Sequence, residues 1–235
     1  MDTQTRHALK QDKFRAATAS SMSWMSGHRT GILRWVVSAV VVLAVVIGVL
    51  VFWTMKTGAA DRALGAALDL YSTPLAVPGA PAEKNVYNNA ADRAREANRQ
   101  FVAIAKDFGW LPAGAKAHYF AGVTYQELGQ TGSAESELKT AAGSWDRNLS
   151  NLAKLALAGL YQQTGRSAQA IDVYNDLAKK PSLTVPTSVA QLDLADLYAS
   201  TGKQDQARAL WAKVKDADKD GMAGSIASQK LAGKQ

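Results

Sequence analysis

Residues 160–174 read LYQQTGRSAQAIDVY, and the same spacing of Tyr, Gly, Ala and a large residue recurs in two other stretches of the chain. These are TYQELGQTGSAESEL at residues 124–138 and LYASTGKQDQARALW at residues 197–211. In each stretch a Tyr is followed by a Gly four residues later, an Ala five residues after the Gly and a large residue four further on. Successive copies are offset by 36 and 37 residues. Repetition at such a period is typical of proteins built from stacked, similar units.

The spacing within each copy predicts two helices joined by a tight turn. The Gly suits a left-handed conformation at the end of the first helix, where other residues cost more. The Ala suits a close crossing of the two helices. The large residue lies one turn further along the same helix face and fills the space beside the crossing.

An incomplete unit is expected upstream of these copies, and a capping helix downstream. Ala97 and Phe101 repeat the second half of the pattern, and Tyr71 is expected in the first helix of that unit. A break would separate these two helices at Pro74, Pro78, Gly79 and Pro81. Residues 222–231 are expected to form a final helix that covers the open end of the stack.

A long apolar segment, WVVSAVVVLAVVIGVLVFW, runs from Trp35 to Trp53. As a helix it would span about 30 Å, the thickness of the hydrocarbon core of a bilayer. A single span in lipid must be helical because its backbone amides can bond only internally. Trp also favours the two interfaces. The alternative is a cleaved signal peptide with a cleavage site at Thr57-Gly58-Ala59, although its leader and apolar region would be shorter.

Basic residues are concentrated before this segment. Residues 1–34 hold six basic and two acidic residues, a net charge of +4, whereas Lys56 and Arg62 are the basic residues that follow closely. Positive charge stays on the cytoplasmic side, so we expect a single-pass membrane protein with a cytoplasmic N-terminus and a C-terminal domain on the outer side. The leader would either lie on the inner leaflet or act as a disordered tail that fixes topology.

The repeated residues resemble the tetratricopeptide repeat (TPR) family, whose pattern is W-x2-L-G-x2-Y, then A-x3-F, then P. Three units keep the Tyr, the Ala and the large residue, but in the first of them His118 stands at the Trp position and Asp146 at the Pro position. Together with the span, the resemblance implies an all-α fold. One N-terminal transmembrane helix is followed by a TPR-type α-solenoid of about three to four helix pairs and a capping helix.

The predicted organisation has five parts. They are a cytoplasmic basic leader (1–33), the transmembrane helix (34–54), a membrane-proximal helix with a Pro-rich loop (55–95), the TPR-like repeat domain (96–220) and the C-terminal capping helix (221–235). This layout resembles the ancillary subunit family of the SecYEG translocon. The resemblance implies a single-pass protein of the bacterial inner (plasma) membrane with a periplasmic C-terminal domain. It also implies a protein-binding role with the translocon, periplasmic chaperones or secretory clients as partners. The alternative is a structural scaffold subunit of another envelope assembly, which would use the convex face or the side around Trp211.

In TPR proteins the first helix of each unit lines a concave groove, and this resemblance names the candidate peptide-binding residues. The three units place there Lys116, Tyr119, Val123 and Gln126; Leu152, Leu155, Gly159 and Gln162; and Val189, Leu192, Asp196 and Ala199. The set is mostly uncharged, which disfavours a clamp for a terminal carboxylate and favours a segment with hydrophobic side chains. Helices of the same chain could also fill the groove, and the sequence leaves that open.

The sequence predicts no enzyme, no cofactor, no metal site and no small-molecule substrate. There is no Cys, which excludes disulfides and thiolate chemistry. Two of the three His residues, His7 and His28, precede the span, and His118 occupies a core repeat position. No phosphate-binding loop or nucleophile elbow is present. Outside residues 1–34 the net charge is only +3, too dispersed for nucleic acid.

One acidic turn resembles a calcium loop. Asp216, Asp218, Asp220 and Gly221 match the opening of an EF-hand. Position twelve of that loop requires a bidentate Glu, and Ala227 stands there. We therefore predict a solvated turn without calcium.

Overall fold

The computed structural model of this protein describes residues 29–76 and 87–233. The predictions made for residues 1–28 of the leader, including His7 and His28, and for Pro78, Gly79 and Pro81 concern residues outside this described part. The described residues form α1 (Arg29–Tyr71), α2 (Ala90–Phe108), α3 (Pro112–Glu127), α4 (Thr131–Ala142), α5 (Arg147–Gln163), α6 (Ser167–Lys179), α7 (Thr187–Ser200), α8 (Gln204–Ala217) and α9 (Met222–Leu231).

The chain divides into two compact units, Met1–Lys56 and Thr57–Gln235. The described part of the first unit belongs to α1, which from Leu33 onward is long and apolar enough to cross a membrane. The large apolar side chains between Trp35 and Trp53 are each at least 46% exposed. A continuous apolar surface of this kind is compatible with lipid, because the helix satisfies its own backbone amides.

The second unit is a stack of helix pairs. The last part of α1 pairs with α2, α3 pairs with α4, α5 with α6 and α7 with α8, and each helix packs against the next one along the chain. Short connections between packed helices make neighbours antiparallel. Helix α9 packs on α8 and α7 and covers the C-terminal end through Ala223 and Ala227. The predicted solenoid with its capping helix is therefore confirmed.

The turns inside the pairs have the predicted left-handed glycines. Gly129, Gly165 and Gly202 have φ of 72°, 73° and 79°. In each turn the residue after the Gly donates its N–H to the carbonyl of the Tyr four residues before the Gly, and the N···O distances are 2.9, 2.7 and 2.8 Å. These bonds satisfy carbonyls that the end of the first helix leaves open.

The crossings of the paired helices have the predicted packing. The four repeat Ala residues are fully buried. The large residues that follow them are at most 7% exposed; they are Phe101, Leu138, Tyr174 and Trp211. Small and large side chains thus alternate along each pair and give close packing.

The incomplete first unit is also present. Tyr71 at the end of α1 meets Phe101 of α2 edge to face, with ring centroids 6.1 Å apart. The guanidinium of Arg93 lies over the Tyr71 ring at 5.5 Å. At the base of the connection between α1 and α2, the backbone of Ala76 donates to Tyr87 over 2.8 Å. Tyr71 and the Ala97–Phe101 pair therefore belong to one unit, as predicted.

The prediction that His118 occupies a core position is wrong. Its side chain is 20% exposed, and its Nδ1 lies 2.6 Å from Oε2 of Glu137. An imidazole buried without a polar partner would lose its hydrogen bonds to water. His118 therefore lies at the margin of the core, where it contacts a carboxylate of the second helix in its own pair.

The pairs define two edges of the second unit. The ends of the first helices meet at one edge, where Tyr71 donates to Glu127 and Gln126 donates to Gln163 over 3.0 Å. We call this the turn edge because it includes the turns at Gly129, Gly165 and Gly202. The opposite edge is formed by the connections between pairs, at residues 109–111, 143–146, 180–186 and 218–221, and we call it the connection edge.

Candidate partner-binding surface

The candidate surface consists of the outward side chains of the first helices α3, α5 and α7. The structure leaves two of the nine principal candidates exposed, Lys116 and Gln162. The others are half-buried; they are Tyr119, Val123, Gln126, Leu155, Gly159, Leu192 and Asp196. The surface therefore combines accessible area with side chains that the fold holds in place.

Tyr119 and Leu155 form the apolar centre of this surface. Both pack against the main core cluster that includes Leu138, Leu157 and Tyr161. Tyr119 also meets Phe120 edge to face, with ring centroids 5.1 Å apart, and burial raises the pKa of its phenol. The two candidates belong to different helices but rest on the same cluster, so their positions are fixed before any partner binds.

Gly159 leaves the surface open in the middle of α5. A Cβ atom built there would meet no atom within 4 Å. Other helices of the described chain therefore do not fill the space above this residue. The sequence could suggest a small residue here, but only the structure shows that the space beside it is empty.

The C-terminal end of the surface is different, because this chain already binds the carboxylate of Asp196. The indole Nε1 of Trp211 donates to Oδ1 of Asp196 over 3.0 Å, and Nζ of Lys230 lies 3.1 Å from Oδ2. Beside these groups is an open cavity of about 480 Å³, whose polar lining also includes Gln204 and Arg208. Asp196 therefore faces a polar end of the surface, whereas Tyr119 and Leu155 lie in an apolar part.

Two further groups near Asp196 have shifted pKa values. Burial and the neighbouring Asp196 raise the pKa of Asp193 to about 6. Burial, followed by the charges of Asp193 and Asp196, raises the pKa of Tyr174 to about 12. Desolvation disfavours the charged form of each acid, and a second carboxylate adds to the effect. These shifts reflect crowded acids between α6 and α7.

A half-buried ion-pair network that sequence analysis missed joins α4 to the start of α6. Glu135 accepts two hydrogen bonds from Arg166, at 2.5 and 3.0 Å, and its Oε1 lies 2.7 Å from Nζ of Lys139. The hydroxyl of Tyr161 donates to the same carboxylate over 3.2 Å. The bonds from Arg166 and Lys139 lower the pKa of Glu135 to about 2. The network connects two repeat units and therefore has a structural role.

Trp211 is not available as an interaction surface. Its side chain is only 7% exposed, and its one polar group is bound to Asp196. Helix α9 packs on Trp211 through Ala223 and Ala227, whereas Gln204 and Arg208 beside the open cavity remain exposed. A large residue at this repeat position contributes to the core, as in the other units.

The acidic turn before α9 is structural. Oδ2 of Asp218 accepts the backbone N–H of Gly224 over 3.2 Å and thereby stabilises the first turn of α9. Among residues 29–76 and 87–233 no group of three or more His, Asp or Glu side chains is placed to hold a metal ion.

Comparison with known proteins gives information on the fold. No family profile and no curated protein sequence matches the chain. The chain is similar to the crystal structure of a kinesin light chain-like protein from Podosopora anserina with nearly identical TPR-like repeats, in a form that carries one substitution. The TM-score is 0.51 at 15% identity, over 61% of this chain and 77% of that one. A crystal structure of the same protein without that substitution gives 0.50 at 16% identity, over 61% and 78%. The second unit thus has the fold of TPR-like repeat proteins.

Proposed function

We propose that this chain is a membrane-anchored periplasmic module that binds other proteins through the exposed faces of α3, α5 and α7. We further propose that it serves as an ancillary, chaperone-linked component at the secretion translocon of the bacterial inner membrane. The domain boundaries given above, the cytoplasmic N-terminus and the absence of enzymatic activity belong to the same proposal.

The observation that carries the proposal is the half-buried apolar centre at Tyr119 and Leu155 beside the open space at Gly159. Extended or helical segments bind to such surfaces by placing hydrophobic side chains against a rigid apolar base. Because the base is already ordered, binding would not require rearrangement of the domain. A TPR-like fold is suited to this role, since its first helices present one continuous surface.

The anchoring half of the proposal is supported by the apolar segment from Trp35 to Trp53, which is exposed along its whole length. An anchor confines the domain to one membrane and raises its effective concentration toward partners there. The link to the translocon is supported by the order of leader, span and repeat domain, which resembles that of the ancillary subunit family of the SecYEG translocon.

Site-specific photo-crosslinking in living bacterial cells tests the proposal. A photoreactive phenylalanine analogue replaces Tyr119 or Leu155 in the full chain, and as a control it replaces Gln206, which is exposed on a second helix. We expect the first two positions to capture translocon subunits, periplasmic chaperones or secretory proteins, identified by mass spectrometry. Capture at Tyr119 and Leu155 that does not exceed capture at Gln206 would contradict partner binding on this surface.

Carbonate extraction tests the anchor separately. An inserted span keeps the chain in the pellet, whereas a cleaved or peripheral chain appears in the supernatant. Cross-linking to envelope proteins together with release by carbonate would retain the binding proposal and contradict the anchor.

A further inference from the structure

The connection edge carries a row of exposed large apolar residues, about one for each repeat unit. In the described residues of the second unit, six large apolar side chains are 36% exposed or more. Four of them lie in the connections between units or directly after one: Trp110 at 52%, Trp145 at 84%, Leu183 at 91% and Met222 at 81%. The other two, Leu75 and Leu231, are the least exposed, at 38% and 36%.

The described residues of the turn edge show no such row. Its corresponding positions, directly after the three left-handed glycines, hold Gln130, Arg166 and Lys203. Single exposed apolar residues are common on soluble proteins and need no explanation. The four most exposed residues recur along one edge, whereas Leu75, just after the end of α1 at the turn edge, is only 38% exposed; this recurrence indicates a surface with a partner of low polarity.

Two of the four exposed residues, Trp145 and Leu183, lie in neighbouring parts of this edge. The backbone N–H of Leu183 donates to Oδ1 of Asn148 over 3.1 Å, and Oγ1 of Thr184 donates to the carbonyl of Asn148 over 2.8 Å. Asn148 is three residues after Trp145. The connection that contains Leu183 therefore contacts the first turn of α5, which directly follows the connection that contains Trp145.

The chain enters the second unit at this same edge. The ends of α1 and α3 meet at the turn edge through Tyr71 and Glu127, so the two helices run in the same direction. Thr57 lies 14 residues before Tyr71, and Pro112 lies 15 residues before Glu127. Thr57 is therefore placed at the connection edge, beside the start of α3.

Only a short stretch of chain separates this edge from the apolar segment. Thr57 follows Trp53 by four residues, which span at most about 14 Å even when fully extended. If Trp53 lies at the membrane interface, the connection edge begins within that distance of the lipid, whatever the angle between the two units. The connection edge is thus the edge of the domain that lies nearest to the apolar segment along the chain.

We infer that the connection edge docks on the interfacial layer of the membrane that anchors the chain, with Trp110, Trp145 and Leu183 inserted among the lipid headgroups. Trp is suited to this layer because its ring is apolar and its N–H can still bond to water or headgroups. Met222 contributes less, since Asp216, Asp218 and Asp220 precede it and would lose hydration on insertion.

The charges on this edge indicate which lipids matter. Beside the connections that hold Trp110, Trp145 and Leu183 the charges are mixed: the acids are Asp107 and Asp146, the bases are Lys106, Arg147, Lys179 and Lys180, and Lys180 is paired with Asp176 over 3.0 Å. Docking should therefore depend on apolar contact and not on anionic lipid. This inference rests on the proposed membrane anchor, and its test must separate a failure of docking from a failure of the anchor.

Single-cysteine labelling provides that test because the chain has no Cys. The full chain is reconstituted in phosphatidylcholine nanodiscs that contain a lipid with a nitroxide near the headgroup. A fluorophore is attached in separate variants at Arg147→Cys on the connection edge, at Gln130→Cys on the turn edge and at Ser38→Cys in the apolar segment. We expect lipid quenching at Arg147→Cys and Ser38→Cys and none at Gln130→Cys. Added anionic lipid or salt should leave this pattern unchanged.

Substitution of the apolar side chains completes the test. Burial of one Leu or Trp side chain corresponds to about a tenfold change in an equilibrium. Trp145→Ser and Leu183→Ser should therefore each lower the docked-to-undocked ratio at the Arg147→Cys label by about tenfold, without effect at Ser38→Cys.

Each pattern of quenching has a defined meaning. Quenching at Ser38→Cys without quenching at Arg147→Cys would overturn docking and retain the anchor. A label at Arg147→Cys that is shielded from aqueous iodide but not quenched by lipid would also overturn it, in favour of a second copy of the chain. No quenching at either position would overturn both the docking and the anchor.

Discussion

Replacement of Gly165 by Ala is expected to destabilise the repeat domain by about 1 kcal/mol. Gly165 has a φ of 73°, a conformation that costs an L-residue about 1–2 kcal/mol. A Cβ there meets no atom within 4 Å, so the cost comes from the backbone and not from a steric clash. The smaller freedom of Ala in the unfolded chain offsets about 0.4–1 kcal/mol of this cost.

Gly159→Ala is the matched control, and its expected effect has the opposite sign. Gly159 lies inside α5, and a Cβ there also meets no atom within 4 Å. Ala is favoured over Gly in a helix interior by about 0.5–1 kcal/mol. Gly165→Asn should lie between Gly165→Ala and the unchanged chain, because Asn tolerates the left-handed region better than Ala.

Urea unfolding of the full chain in mild detergent, followed by far-ultraviolet circular dichroism, measures these changes. The urea midpoint should fall for Gly165→Ala and rise for Gly159→Ala, while the slope stays unchanged. The free energies of unfolding of the two variants should then differ by about 1.5–2 kcal/mol. A midpoint that moves in the same direction for both variants would refute the conformational explanation of the turn. So would a Gly165→Ala midpoint that stays at the value of the unchanged chain.

Three further predictions concern the core and the acids. A Cβ on Gly122 would lie 2.6 Å from Cγ of Leu138, so Gly122→Ala should cost about 1–3 kcal/mol and Leu138→Ala about 2–5. In the double variant the loss of stability measured by urea unfolding should be smaller than the sum of the two single losses, because the methyl group added at position 122 occupies space that the shortened side chain at position 138 leaves. The pKa of Glu135 in the folded chain is about 2, below its ordinary 4.5. Its ion pairs should therefore stabilise the domain above pH 4.5, and this stabilisation should be lost as pH falls toward 2. Glu135→Gln should remove this contribution to the pH dependence of the free energy of unfolding, measured from unfolding curves across this range. The pKa of Asp193 is raised from 3.8 to about 6, so stability should decrease as pH rises between these values. Asp193→Asn should raise the free energy of unfolding at pH ~7.5 by about 1–2 kcal/mol, after allowance for solvent screening, and an unchanged or lower value would contradict burial of the charge.

The repeat could be predicted from sequence because its determinants are local. A Gly at the end of a helix and an Ala followed one turn later by a large residue act within a few neighbouring residues, and the left-handed turn at Gly165 follows from them directly. The capping helix at residues 222–231 was predictable for a related reason, since an open stack must be covered.

Features that depend on distant partners could not be predicted in this way. Glu135 meets Arg166 across 31 residues, and Asp196 meets Lys230 across 34. Nothing near Asp196 in the sequence indicates that its carboxylate is already bound. His118 was assigned to the core from its repeat position, but its contact with Glu137 depends on how the two helices face each other. The exposure of Trp145 and Leu183 was equally hidden, because residues in connections follow no helical period.

Affinity purification from detergent-solubilised membranes tests the proposed binding surface most directly, with Gly159 as the point of intervention. Gly159→Trp places a large side chain in the open space on α5, whereas Gly159→Ala leaves most of that space free and keeps the domain stable. We predict that envelope proteins which co-purify with the unchanged chain and with Gly159→Ala are lost with Gly159→Trp, at equal amounts of folded protein. Recovery of the same proteins with all three chains would contradict the proposal that the faces of α3, α5 and α7 bind partners.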